Sequence, residues 1–373
     1  MAETSDILVI GGGVAGLSAA AVLSENARVT VLEAEEQIGF HASGRSATLL
    51  HYALGDRLVR ALTLASRPFF DDPPEEFGGA LAFPMPVLVH ARAEERAALD
   101  VLADDIAPFA KLERLDAAGL AYWCPVLRTG TGASEHGLVD AHGLKLDGHA
   151  LLQGYARRLQ HHGGDVRTGA RVAAIERDGK DWAVATERGD CFLSPIIVNA
   201  AGAWADAIAR LAGVAPIELV PKRRTIIVFD APAGLDLQRL PFAKTVGDEL
   251  YFGREGGRVF ASPMDEVPTD PSDAQAEEYE MALAAFRVEE QTTMTVGRIA
   301  HRWAGLRTFT PDRRPAVGFA PDVEGFFWLA GQGGFGLQTS PVMARIAASL
   351  IAGAAWPLAE VLQAELSPDR FLR

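Results

Sequence analysis

The chain has 373 residues, 49% hydrophobic and 23% charged, with 37 Gly and 21 Pro. That composition supports a large buried core, and at roughly 150 residues per domain the length points to about two domains rather than a one-motif binding module. Forty-nine acidic residues against 35 basic leave a formal charge of −14, which removes the broad electropositive surface that sequence-independent nucleic-acid binding needs but still allows a local anion pocket. The two cysteines, Cys124 and Cys191, build neither a disulfide framework nor a Cys/His cluster, so a reducing, cytoplasmic setting and no metal site are expected.

Residues 7–23 are apolar, small or Gly, but Glu3 and Asp6 precede them where a leader would carry Lys or Arg, glycines interrupt them, and they are too short for a membrane span. They read instead as a strand over 6–10, a glycine turn at Gly11, Gly13 and Gly16, and an Ala-rich helix over 17–24. A second strand over 28–32 ends in Glu33. Gly11 permits the tight turn, Gly13 lets backbone approach a pyrophosphate, and Gly16 lets helix and strand pack closely. The helix N-terminus offers N–H groups to phosphate, and Glu33 accepts from an adenosine ribose. The order of these parts specifies dinucleotide binding.

Gly39 to Ala47, GFHASGRSA, follows the acid as a second small, polar, anion-cradling stretch opening a helix. A helix is expected over 58–70, a loop over 71–76, a strand over 80–90 and helices over 93–102 and 151–161. Strands follow over 171–176, 182–186 and 196–199. The segments 218–230 and 249–262 alternate like an antiparallel sheet. Residues 325–341, GFFWLAGQGGFGLQTSP, repeat the pattern of strand, glycine turn and helix, and a helix starting near Gly336 points its N–H groups at developing negative charge. A reduced flavin presents such charge, whereas a nicotinamide does not, so FAD is the expected cofactor.

Together the GGGVAG and Glu33 start, GRSA at 44–47, VNAAGAWA at 198–205, WAGLRTFTPDRRPAVG at 303–318 and AGQGGFGLQTSP at 330–341 resemble the D-amino-acid oxidase family of flavoproteins. VRALTLASRPFFDDPP at 59–74 and PKRR at 221–224 are similar to its D-arginine dehydrogenase branch. The resemblance implies an α/β fold: a glutathione-reductase-like, Rossmann-type FAD-binding domain (1–54, 140–215 and 300–373) with an interleaved α+β mixed-sheet substrate domain (55–139 and 216–299). It implies FAD contacts at Gly11, Gly13, Gly16, Glu33, Ala34, Ser43, Gly44, Arg45, Ser46, Ala47 and Val172, and because Cys124 and Cys191 lie far in sequence from the flavin motifs, the FAD is expected to be non-covalent. At the flavin ring it implies Gly333, Gly334, Phe335, Gly336, Leu337, Gln338 and Thr339. Arg307 and Tyr251 fall on the family's carboxylate-binding pair, a role that suits a planar guanidinium and a phenol. Arg223 is a further substrate-site candidate.

The implied reaction passes a hydride from Cα of a D-amino acid or N-substituted amino acid to flavin N5, and the imino acid then hydrolyses to a 2-oxo acid. A water or His51 accepts the substrate's ammonium proton. The sequence departs from the branch at Val87, where a glutamate is the pattern, and at Leu49 and Leu54, where a histidine and a tyrosine are. An apolar lining cannot pair a guanidinium, so the substrate side chain is expected to be apolar rather than cationic. His51 and Tyr52 are the nearest polar replacements. Two alternatives stand beside this reading. One is a non-catalytic FAD-binding subunit of a larger complex; the other is a flavin monooxygenase, disfavoured because Gly331-Gln332 stands where that class carries Gly-Asp. The electron acceptor, whether oxygen, a quinone or a carrier, is left open by the sequence.

Overall fold

The computed structural model describes residues 2–371. Ile7–Ile10 and Val29–Leu32 are four-residue strands buried at every position, joined through the glycine turn by the helix Val14–Leu23. They are central in a six-stranded sheet ordered Asp165–Arg167, Val29–Leu32, Ile7–Ile10, Ile196–Asn199, Phe326–Ala330 and Ala316–Phe319. The first five strands are parallel and the last is antiparallel. Such strands are apolar on both faces because both faces are covered. Ile7, Val9, Val198 and Phe327 pack with the helices Val14–Leu23, Arg57–Asp71 and Gly336–Ile351. Leu8, Ile10, Ile197 and Trp328 pack with the helix Ala205–Leu211 and with Trp182, Val184 and Phe192 of a four-stranded sheet.

A ten-stranded sheet forms the other half of the fold. Its path runs Gln332–Gly333, Ile299–Phe309, Val220–Phe229, Arg258–Ser262, Tyr251–Glu255, Phe242–Thr245, Val87–Ala91, His136–Asp140 and Glu113–Leu115, with Val267–Pro268 alongside Val220–Phe229. Its pairs are antiparallel except that between Phe242–Thr245 and Val87–Ala91. Gly331, at φ +71°, turns the chain from the six-stranded sheet directly into this one. The strand Ile299–Phe309 pairs along its length with Val220–Phe229, so residues 300–309, read from the sequence with the nucleotide part, are hydrogen-bonded into the second sheet.

Two local expectations are corrected and one helix is new. Residues 80–90 form two strands in different sheets, Ala82–Pro84 beside Leu144–Leu146 and Val87–Ala91 in the large sheet, because Pro84 and Pro86 have no N–H to continue a ladder. The stretch after Gly39 opens no long helix: it makes a single 3-10 turn, Ala42–Arg45, and then the short strand Leu49–Leu50. The helix Glu278–Gln291, not anticipated, covers part of the large sheet through Ala284 and Val288. Among the described residues no helix is long and apolar enough to cross a membrane.

Candidate functional site

A cavity of about 410 Å³ runs from the carboxyl ends of the six-stranded sheet to one face of the ten-stranded sheet. Its nucleotide end is shaped by glycine. A β-carbon on Gly11 would strike the Ala200 carbonyl, and one on Gly16 would strike the Gly11 carbonyl, so the turn closes tightly on its own strand. At Gly13 the nearest atom is Ser43 Oγ, 3.2 Å away. The N-cap residue of the helix Val14–Leu23, Gly13, has no side chain to cap it, and the helix opens on the cavity, presenting its positive dipole end. Ser43 Oγ accepts from the Val14 N–H at 2.9 Å. Glu33, buried at the second strand's end, accepts from the Gly12 N–H at 2.7 Å and the Glu35 N–H at 2.8 Å. Burial raises its pKa, against those two hydrogen bonds, which lower it. Its carboxylate retains lone pairs for ribose hydroxyls.

The opposite wall is the turn at Gly333 and Gly334 and the start of the helix Gly336–Ile351. Gln332 lines it with both amide atoms buried and unpartnered, an arrangement that calls for a polar ligand at that wall. A glycine cradle, a ribose acceptor and this orphaned amide fit an FAD laid along the cavity.

The structure sorts the predicted contacts. Gly11, Gly13, Glu33, Ala34, Ser43, Arg45, Ser46, Ala47, Val172, Gly333, Gly334, Gly336, Leu337 and Gln338 line the cavity. Gly16 and Gly44 lie behind it, where a Cβ on Gly44 would sit 2.5 Å from the Gly39 carbonyl. Phe335 packs with Val59 and Phe309, and Thr339 is fully buried in its helix. The Arg45 guanidinium does not present free charge to a phosphate: it donates to the carbonyls of Phe40, Ala274 and Ala304 and pairs with Asp273 at 2.5 Å. The Gln338 amide accepts from the His51 N–H and donates to Thr63, which fixes the 51–54 loop.

At the end of the cavity away from the nucleotide turn, Arg307, Arg224 and Tyr251 come from three strands onto one sheet face. Strand register explains this: Lys222 pairs with Arg307 and Arg224 with Gly305, so even-numbered residues of Val220–Phe229 share the face of Arg307. Arg223 therefore points the other way, away from the cavity, to Glu277 and to Glu280 at 3.0 Å. The structure thus replaces Arg223 by Arg224 on the cavity wall.

Glu266 organises the cations behind this wall. It holds Lys222 at 2.9 Å and Arg313 at 2.9 and 3.0 Å, with Arg224 at 3.5 Å and Arg307 Nη1 at 3.8 Å. Burial alone would raise its pKa, but hydrogen bonds from Arg313 and Lys222 outweigh that and hold it down at about 2. Burial first, then the neighbouring Arg224, lowers Arg307 to about 10, which leaves it protonated at neutral pH. Among the described residues the Tyr251 hydroxyl has no hydrogen-bond partner, and its ring packs on Phe242 and Phe260. His51 also lines the cavity, but burial, with Lys244 and Arg307 nearby, lowers its pKa to about 3. It is neutral at physiological pH.

Leu49 and Leu54 line the cavity together with Ile226, Phe242 and Met264. Val87 is paired with Phe242 on the neighbouring strand and packs in the same apolar cluster, and Tyr52 is buried against Phe109; both are outside the lining. Lys244, Arg224 and Gln332 are lining residues not selected from the sequence. Arg224 was legible from strand parity, whereas Lys244 carries no motif. Among the described residues no His, Cys, Asp and Glu cluster could hold a metal.

The family model described as DAO, FAD dependent oxidoreductase, matches residues 6–350. A Bos taurus protein named FAD-dependent oxidoreductase domain-containing protein 1 is 26% identical over 94% of this chain and 81% of its own. A glycine oxidase of Pseudomonas aeruginosa is 30% identical over 55% of this chain and 53% of its own. The crystal structure of glycine oxidase from Geobacillus kaustophilus superposes with a TM-score of 0.83 at 21% identity, covering 100% of both chains.

Proposed function

This chain belongs to the FAD dependent oxidoreductase (DAO) family, and from that premise we propose that it oxidises the Cα–N bond of a carboxylate-bearing D-amino acid or N-substituted amino acid. The carrying observation is that Arg307, Arg224 and Tyr251 project from one sheet face into the cavity, beside the Gly333 to Gly336 wall. When bound there, FAD supplies the two-electron acceptor for the substrate's Cα–H.

The protein's own part is binding and orientation. The Arg307 guanidinium takes the carboxylate in a bidentate pair, Arg224 adds positive charge, and the Tyr251 hydroxyl donates a further hydrogen bond. Fixing the carboxylate at several points orients Cα, and positioning of this kind supplies much of a barrier reduction when the cofactor carries the chemistry. Leu49, Leu54, Phe242 and Met264 exclude water around the substrate. The ammonium proton leaves before oxidation, to a water or to the neutral His51 imidazole at the cavity wall. The product imino acid hydrolyses to a 2-oxo acid and an amine. A guanidino or ammonium side chain is disfavoured, since the lining near it offers leucines and cations and no carboxylate. The names glycine oxidase and sarcosine dehydrogenase among the relatives support an amino-acid substrate.

Anaerobic mixing of the holoprotein with a panel of D-, L- and N-methyl amino acids tests this. Bleaching of the flavin by one class, lost in Arg307→Ala with FAD absorbance retained, is expected. Bleaching by none would instead support a non-catalytic FAD-binding subunit.

A further inference from the structure

We propose that the side-chain end of the substrate pocket holds a second anionic group on Lys244, making the substrate an acidic amino acid of the aspartate or glutamate type. This rests on the amino-acid reading above and replaces a wholly apolar side chain with an apolar stem ending in a carboxylate.

Lys244 is on the strand Phe242–Thr245, directly paired with Tyr251. Directly opposed residues share a face with Cβ atoms about 5 Å apart, and both line the cavity. The group that donates to one substrate carboxylate and the ammonium are thus neighbours within the span of one small dicarboxylate. Lys244 is only 6% exposed, and a buried ammonium is costly unless it is fully paired. Its protein partners are the carboxylate of Asp248, itself largely exposed, and the Ala53 carbonyl at a long 3.4 Å. An ammonium has three N–H bonds, so one remains for a ligand.

The surroundings agree. The acidic residues on the cavity lining, Glu33 and Glu35, are at its nucleotide end, whereas the substrate end carries Arg224, Arg307 and Lys244. His51, whose ring centroid lies 5.5 Å from that of Phe242, leaves Nδ1 buried without a partner. His51 lines this end of the cavity, and a neutral imidazole can donate one hydrogen bond to an incoming carboxylate. The cavity therefore offers one cationic anchor for each of two carboxylates, with Phe242 and the leucines along the stem.

The test uses holoprotein and two ligands that cannot be oxidised, glutarate and butyrate, with binding read by calorimetry and by perturbation of the flavin spectrum. Glutarate should bind at least about tenfold more tightly, the value of one charge-assisted hydrogen bond. Lys244→Met should remove that preference and Lys244→Arg should retain it. Flavin bleaching should likewise favour glutamate over glutamine. Equal binding of the two acids by the unaltered protein, or a preference that survives in Lys244→Met, overturns the inference. The ratios for the unaltered protein decide even where a variant fails to fold. Bleaching by neutral but not acidic amino acids defeats this inference and leaves the amino-acid reading intact; bleaching by no amino acid defeats that reading, while the glutarate and butyrate ratio still reports on Lys244.

Discussion

A β-carbon built on Gly334 would fall within the guanidinium of Arg307. The glycine turn that ends the six-stranded sheet is thus shaped on one side for a cofactor and on the other for the arginine packed against it. Gly334→Ala must displace Arg307. A misplacement of about 1 Å costs on the order of 10²-fold in a positioned reaction, so kcat/KM should fall by about that factor, with KM raised as well as kcat lowered. An unchanged KM would show that Arg307 does not hold the carboxylate.

Adjacent arginines on one strand should behave in opposite ways. Arg223 pairs with Glu277 and the buried Glu280 on the covering helix, whereas Arg224 lines the cavity. Arg223→Gln leaves a buried carboxylate uncompensated and should destabilise the fold by about 3 kcal/mol with substrate KM unaltered. Arg224→Gln should raise KM severalfold. Chemical denaturation beside steady-state kinetics separates the two, and a KM change confined to Arg223→Gln would refute the register argument.

The nucleotide half was readable because its physics is local. The run Asp6 to Glu33 contains strand, turn, helix and acid in contiguous order, and each glycine has a steric reason that the structure displays at Gly11 and Gly16. The substrate end was less readable because its members come from distant segments that only the large sheet brings together. Arg307, Arg224, Tyr251 and Lys244 are on four strands. Arg45 shows a different limit: a cation beside a phosphate motif invites an electrostatic reading, yet its hydrogen bonds go to three carbonyls and Asp273. Sequence shows that a charge is present, but its partner is a tertiary fact.

Buried neutral histidines make the fold sensitive to mild acid. His51 and His90 are each held at about 3, by burial first and nearby cations second, against an ordinary 6.5. With a folded-state pKa below the unfolded one, the unfolded chain takes up protons that the native state refuses as pH falls below about 6.5. Stability therefore drops with falling pH, approaching about 1.4 kcal/mol per pH unit for each histidine. His90 is away from the FAD and substrate cavity, with Nδ1 2.9 Å from Ser134 Oγ and Nε2 unpartnered. His90→Gln should make the decline between pH 6.5 and 5 shallower by about one proton's worth. Urea unfolding of holoprotein at constant excess FAD measures this, and comparing the two proteins cancels the carboxylate contributions they share. Parallel pH curves would mean that His90 is protonated in the native state.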